Sequence, residues 1–518
     1  MEKNRVAIIG AGISGLLACK YIASIGLNPI VLEAQHNIGG LWNHTIESTR
    51  LQQNKQTFQF SDFPWPSSAD DNPNSAQLLE YLQSYAQNFD LLRYVKFDSK
   101  VMSVDYVGES QEEMQSWELW GGAGKAFGSK GRWILNVLDA KDNSIKEYEA
   151  EFLVLCIGRF SGLPNIPEFA PGYGPEIFSG QVLHSMDYSA MDNATAAQLI
   201  KGKRIAIIGS GKSAFDIAFE CANANGNDNP CTLVQRTIHW AFPDARPWGV
   251  DYGFLVLNRF SELMVHKPGE GILSSVLATL LTPLRWGMSK FVESYLRWKL
   301  PLKKYGMIPK ERFVAGASAC QIFFLPHENF YDKVEDGSIV LRKSQQFSFC
   351  KEGLIINGDP INADIVIFAT GYKGDEKLKN MFASPSFQNY IIGSPNSAVP
   401  LYRQMIQPRI PQVAVIGYSE SFSNLFTFEM RCKWLAFFLD QAFELPSIRA
   451  METDIEAWEK YMKRYAGNHK FRRACIGCVH VWYNDQLCRD IGCNSRRKKG
   501  LFSELFQPYG SKDYDGLP

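Results

Sequence analysis

The residues in this chain best placed for chemistry are glycines. Gly10-Ala11-Gly12-Ile13-Ser14-Gly15 and Gly209-Ser210-Gly211-Lys212-Ser213-Ala214 are two turns of one pattern. Glycine at these spacings lets the backbone turn tightly and approach a pyrophosphate. The N–H groups that open the following helix then meet its negative charge. Each turn follows a short apolar run, residues 6–9 and 205–208, and precedes a helix-compatible stretch, 16–25 and 215–224. One such turn is weak evidence. Two, each in a strand–turn–helix context, point to two dinucleotides and to electrons passing between them.

The next strand after each turn separates the two sites. Pro29-Ile30-Val31-Leu32 ends in Glu33, an acid placed to bind ribose hydroxyls and to repel a 2′-phosphate. Thr232-Leu233-Val234-Gln235 ends in Arg236, a base suited to a 2′-phosphate. The first site therefore reads as FAD or NAD and the second as NADPH. Ala214 stands where the second turn would carry its third glycine.

These elements imply an α/β protein with two Rossmann-like dinucleotide-binding domains, the NADPH domain inserted into a discontinuous FAD domain. The expected divisions are 1–172 for the first part of the FAD domain and 173–357 for the NADPH domain, with a helical insertion at about 255–305. Residues 358–518 are expected to return to the FAD domain and end in a helical tail. Three apolar strand ends are read as lining the flavin. They are Cys156-Ile157-Gly158, the run 365–369 leading into Thr370-Gly371, and the run 413–416 leading into Gly417.

Composition fits an enzyme of more than one domain. The chain has 518 residues, 45% of them hydrophobic, with 54 basic and 54 acidic residues and a formal net charge of zero. That balance gives no electrostatic reason to bind nucleic acid. Eleven scattered cysteines suit a reducing compartment better than a disulfide framework. No run of 18 apolar residues exists, and the first strand begins near residue 5, so neither an integral membrane segment nor a targeting peptide is expected. The expected location is cytoplasmic. Residues 272–300 are the one stretch that could lie on a membrane surface. Cys475 and Cys478 have the spacing of zinc ligands, and Cys488 and Cys493 follow, but reduced thiols are the preferred reading and no metal is assigned.

Longer motifs carry a family resemblance. Phe178-Ser179-Gly180-Gln181-Val182-Leu183-His184-Ser185-Met186-Asp187-Tyr188 matches the FxGxxxHxxxY signature at every defined position. Gly39-Gly40-Leu41-Trp42 and Ala369-Thr370-Gly371-Tyr372 match two further motifs. On these the chain resembles plant flavin-containing monooxygenases over essentially its whole length. Leu51-Gln52, the segment 60–66, Lys299-Leu300-Pro301-Leu302 and Pro508-Tyr509-Gly510-Ser511 look most like the pipecolate N-hydroxylase-type branch. Related Baeyer–Villiger enzymes carry Trp where this chain has Tyr188.

The resemblance implies FAD, NADPH and O2, with Gly40, Leu41 and Trp42 also lining the cofactor. It implies hydride transfer from NADPH to FAD, a C4a-hydroperoxide, and oxygen transfer to a soft nucleophile. The expected substrate is a small amine or cyclic amino acid, with a thioether, a ketone, or a non-catalytic flavoprotein as alternatives. Many members place an Asn ten residues before the Asp of the Asp-Phe-Pro segment, facing the flavin. Here that position is Gln52, which donates and accepts hydrogen bonds as Asn does. His184 is expected to fix domain geometry rather than to move a proton.

Overall fold

In the computed structural model, which describes residues 2–465 and 472–517, each glycine turn leaves the end of a strand inside a largely parallel sheet. The first sheet contains β1 (Glu2–Ile9), β2 (Pro29–Leu32), β3 (Val95–Lys96), β4 (Ser99–Val107), β5 (Arg132–Asp139) and β6 (Ser144–Leu155), in the order β3-β2-β1-β6-β5-β4. β1 runs parallel to β2 and β6, whereas β4 and β5 pair antiparallel. Helix α1 (Ile13–Ser24) follows the turn. Residues 6–8, 30–32 and 152–155 are all buried. A parallel strand covered on both faces reads as a continuous apolar run, which is why these segments stand out in the sequence.

The second sheet uses β7 (Gln181–His184), β8 (Ile205–Ile208) and β9 (Cys231–Gln235). Beside it, β10 (Trp240–Phe242) pairs with β11 (Ile322–Phe324). β12 (Ile339–Lys343) joins the sheet edge, and β13 (Phe347–Cys350), β14 (Gly353–Ile356) and β15 (Asp359–Asn362) form an antiparallel meander. The order is β12-β9-β8-β16-β7, with β16 (Ile365–Phe368) an internal strand. This corrects the expected boundary at 357/358, which gave β16 to the first domain. Ile365 and Ile367 pack into one core of the second domain, Val366 and Phe368 into another. A four-residue apolar run ending in glycine looks the same in either sheet, so only its packing partners decide where it goes.

The chain re-enters the first sheet at β17 (Val413–Val415), which pairs with β6. β18 (Glu420–Ser421) then pairs with β19 (Cys475–Gly477). The expected insertion is helical at Tyr252–Val256, Arg259–Leu263, Ile272–Leu280 and Thr282–Lys299. The tail carries Asn424–Leu439, Ile448–Tyr465 and His480–Asp490. Among the described residues, no helix is long and apolar enough to cross a membrane.

The insertion is fastened to the tail by a buried acid. Glu262 accepts from the Val481 and Trp482 backbone N–H groups at 2.7 and 2.8 Å, satisfying the start of the helix His480–Asp490. His480 Nδ1 lies 3.8 Å from Glu262 Oε1, and the ring is fully buried. Burial pushes His480 down from 6.5 to about 3 and Glu262 up from 4.5 to about 8. Between pH 3 and 6.5 the unfolded chain therefore binds a proton that folded His480 refuses. Stability from this group is full above pH 6.5 and is lost as pH falls toward 3, at a limiting slope of about 1.4 kcal/mol per pH unit. Glu262 slopes the other way between 4.5 and 8. Comparing denaturant unfolding of wild type and His480→Gln from pH 7 to 4 isolates the histidine. Wild type is expected to lose stability relative to the variant, and a constant difference would refute the assignment.

Candidate cofactor site and domain seam

At the first turn the three glycines have different duties. Gly10 has φ +100°, and a Cβ there would meet Cys156 O at 2.7 Å. A Cβ at Gly15 would lie 1.8 Å from Gly10 O, so this glycine sets the close approach of helix to strand. Gly12 is spacious by contrast, its nearest neighbour being Gly40 Cα at 3.7 Å from a built Cβ. α1 starts at Gly12 with no side-chain cap, which leaves its first N–H groups for a ligand.

The Gly39-Gly40-Leu41-Trp42 motif folds over this turn. Gly39 (φ +117°) donates to Ala11 O at 3.1 Å, and Trp42 N donates to Gly39 O at 3.3 Å. Leu41 is exposed. A Cβ at Gly417, two residues beyond β17, would fall 2.1 Å from Ser14 Oγ, so the third strand end also closes on the turn. Ile13 packs against the core. Glu33 is buried and accepts from the Ala11 and Gln35 N–H groups at 2.6 and 2.9 Å. Its carboxylate thus braces the turn and keeps acceptor capacity for ribose hydroxyls.

Lys377 was not foreseen. Its Nζ donates to Ile157 O at 2.5 Å and to Ser161 Oγ at 2.8 Å. Burial pulls its amine down to about 8, against the nearby Glu33 charge, which raises it. In sequence it reads as one of several lysines on a surface helix.

At the second turn, α2 (Lys212–Asn225) starts at Gly211, again with no side-chain cap, and a Cβ at Gly211 meets nothing within 4 Å. Gly209 is tight, its built Cβ 2.4 Å from Ala369 O. Ala214 is buried, so the helix stands off far enough to hold its methyl group. Lys212 is ion-paired to Asp216, while Ser210 and Ser213 lie on the same turn. Arg236 is exposed just beyond β9, and its carbonyl accepts from Gln345 Nε2 at 2.9 Å. Gln345 also lines a cleft with Lys310, Lys343 and Ser344. These two lysines are further cations in the cleft that Gln345 joins to the Arg236 carbonyl, and spacing alone did not single them out.

Thr370 and Gly371 require a correction. They follow β16, a strand of the second sheet and not of the flavin sheet as expected from their glycine. Thr370 Oγ1 donates to Asn165 O, and Asn165 N donates to Gly371 O at 2.9 Å. The motif stitches the linker 163–165 to the second domain.

The FxGxxxHxxxY signature is a wrap around the sheet edge. Phe178 packs with Phe349 and Phe368, and a Cβ at Gly180 would sit 2.4 Å from Asp364 O. His184 Nδ1 accepts from Met186 N at 3.1 Å, capping the short helix Ser185–Ala190. Burial lowers the His184 pKa, so the ring stays neutral in a capping role. Tyr188 donates to Glu220 Oε2 at 2.7 Å.

Glu220 then reaches the first domain. Its Oε1 accepts from Ser48 N at 2.9 Å, and Asp216 accepts from Thr49 Oγ1 at 2.7 Å. Ile46 packs into the second domain's core. Gln52, four residues beyond Ser48, is exposed, and its Oε1 accepts from Phe324 N of β11 at 3.0 Å. Residues 46–52 thus form a seam between the domains, with Gln52 as its outermost polar contact.

Two glycine-led, uncapped helix starts are suited to pyrophosphates. The model for "Flavin-binding monooxygenase-like" proteins matches residues 3–502. The chain belongs to this family. A flavin cofactor follows from that membership, and the first turn has the room and the donors for it. The chain is 40% identical to probable flavin-containing monooxygenase 1 of Arabidopsis thaliana over 99% of its own length and 96% of that protein. It is 27% identical to the N-oxide-forming dimethylaniline monooxygenase 2 of Rattus norvegicus, over 97% of this chain and 85% of that one. Among solved structures, S-allyl-L-cysteine S-oxygenase from Allium sativum matches with TM-score 0.58 at 18% identity, covering 95% of this chain and 89% of that one. Cyclohexanone monooxygenase bound to epsilon-caprolactone matches with TM-score 0.66 at 15% identity, covering 94% and 98%. The shared fold is that of flavin monooxygenases with Rossmann-like sheets.

Proposed function

We propose that this family member is an NADPH- and O2-dependent FAD monooxygenase that oxygenates a soft nucleophile. The first substrate class is an amine nitrogen, with a cyclic amino acid such as pipecolate as the leading candidate. Thioether sulfur is second. The carrying observation is the pair of uncapped helix starts at Gly12 and Gly211, with Glu33 ending one following strand and Arg236 the other.

Bound flavin supplies the oxygen-activating chemistry. The protein's task is to hold two dinucleotides and to keep water out. Glu33 meets ribose hydroxyls at the first turn. Arg236, with Lys310 and Lys343 in the cleft that Gln345 joins to it, meets a 2′-phosphate at the second. Gln52 and the 46–52 seam close the space between the domains. No titratable side chain is asked to move a proton, which agrees with His184 being a neutral cap.

Amine oxygenation ranks first on two grounds. A rat relative, 27% identical over 97% of this chain, is named as N-oxide-forming, and Leu51-Gln52 with residues 60–66 resembles the pipecolate branch. Tyr188 in place of Trp disfavours ketone oxygenation. Turnover over cyclic amino acids, amines, thioethers and ketones, followed by product mass spectrometry and a peroxide assay, tests the reading. One added oxygen on nitrogen supports it. Oxygen on sulfur moves the assignment to the second class, a ring-expanded lactone overturns both, and no substrate-dependent NADPH use favours a non-catalytic flavoprotein.

Gln52→Ala removes the contact to Phe324 N and opens the seam to water. Flavin reduction by NADPH is expected to be largely unchanged. Hydrogen peroxide release per NADPH should rise at the expense of product. Unchanged coupling would remove Gln52 from the site.

A further inference from the structure

The spacing of Cys475 and Cys478 suggests a pair, yet the sulfur facing Cys475 belongs to neither partner read from the sequence. Cys475 Sγ lies 3.0 Å from Cys320 Sγ. Cys478 instead approaches Ser318 Oγ at 3.9 Å. Cys320 follows the helix Phe313–Ser318 of the second domain and precedes β11. Cys475 opens β19, which is paired to β18 a few residues beyond the end of the first sheet. The two sulfurs therefore meet across the domains, and Phe324, the partner of Gln52, is four residues beyond Cys320.

Two further features fit a linkable pair. The backbones touch, since a Cβ at Gly477 would lie 2.1 Å from Ser318 O. Arg472, held by Glu420 at 2.7 Å, acts electrostatically on both sulfurs. Cys320 is only half-buried, whereas Cys475 is 1% exposed. Closing 3.0 Å to a bond of about 2.05 Å takes a side-chain adjustment.

We propose that Cys320 and Cys475 are a redox pair, oxidised by hydrogen peroxide to a disulfide that clamps the second domain to the returning part of the first. Cys320, the less buried member, meets peroxide first. Its sulfur, as thiolate, attacks one peroxide oxygen, the O–O bond breaks, and the departing hydroxide takes up the thiol's proton as water. The sulfenic acid so formed is attacked by Cys475. An S–S bond forms, and the hydroxyl leaves with the Cys475 proton as a second water. Two electrons pass from the sulfurs to the peroxide oxygens, and a dithiol reverses the change. The neighbouring sulfur and burial raise the Cys320 thiol well above its ordinary range. Oxidation is therefore slow and answers sustained rather than brief peroxide. The cross-link rests on no substrate assignment.

The test uses the flavin-loaded protein and hydrogen peroxide. After blocking free thiols and digesting without reductant, mass spectrometry should find the Cys320 peptide joined to the Cys475 peptide, and dithiothreitol should separate them. NADPH oxidation without substrate should slow by about fivefold or more, because a fixed seam restricts domain movement, and should recover with dithiothreitol. Cys320→Ser should keep the untreated rate and resist peroxide. If that variant fails to fold, the wild-type peptide map still decides. A Cys475–Cys478 link, no link at a dose that slows the enzyme or no response at all, a link without slower turnover, or equal slowing of the variant would each overturn the proposal.

Discussion

Gly12→Val is expected to give a folded protein without flavin colour. The residue has φ −74° and ψ −174°, an extended conformation open to valine. A Cβ there comes no closer to its neighbours than 3.7 Å, to Gly40 Cα, so the fold has room for it. That room lies in front of the uncapped start of α1, where a pyrophosphate must come close to the N–H groups. A branched side chain occupies it. Absorbance of the purified variant and titration with FAD read the loss, while the unfolding temperature should stay near that of wild type stripped of its flavin. Gly15→Ala makes the control. Its methyl would fall 1.8 Å from Gly10 O, a backbone atom that cannot step aside. Backbone displacement of this kind costs several kcal/mol, and this variant is expected to be poorly folded whether or not FAD is supplied. A yellow Gly12→Val, or a stable Gly15→Ala, would show that the two glycines do not divide the work this way.

What the sequence made legible is what is local. Both turns, the buried parallel strands leading into them and the helices leaving them are written within about 30 residues each, because a βαβ unit is built from neighbours. β17, a short apolar strand with a glycine just beyond it, joins the first sheet beside β6. β16 carries the same local marks and went to the other sheet, so those marks do not identify the sheet. The seam was harder still. Gln52 and Phe324 are 272 residues apart, and Ser48 and Glu220 are 172 apart. Neither Phe324 nor Glu220 has a spacing that announces it.

The same reason hid Cys320. Its partner lies 155 positions on, and a nearer cysteine offered a more familiar spacing. Lys377 was missed because a lysine in a short polar helix ordinarily faces water, whereas here the turn after β6 covers it. By contrast the signature from Phe178 to Tyr188 was visible as a pattern before it had a physical meaning. Its residues supply packing, a helix cap and an anchor on Glu220, which explains how the pattern specifies a fold.

Arg236→Ala is expected to raise the KM for NADPH by about tenfold or more while changing that for NADH far less. The figure follows from a charge-assisted contact to a phosphate, worth roughly 1.5–3 kcal/mol. Arg236 leaves the end of β9, the strand next to the glycine turn in the sheet, which is where a ribose 2′-substituent of a dinucleotide lies. It is exposed, so part of its attraction is screened, and the preference should shrink as ionic strength rises. Lys343 is the cross-strand partner of Gln235 and lines the cleft with Lys310. These lysines should keep some preference for NADPH in the single variant. Arg236→Ala with Lys343→Ala should remove more than either change alone. Steady-state kinetics with both cofactors, at low and high salt, check the whole argument. Equal rises for NADPH and NADH would mean that Arg236 shapes the loop but does not read the phosphate. A full effect from Lys343→Ala with none from Arg236→Ala would move the recognition from the strand end to the neighbouring cleft.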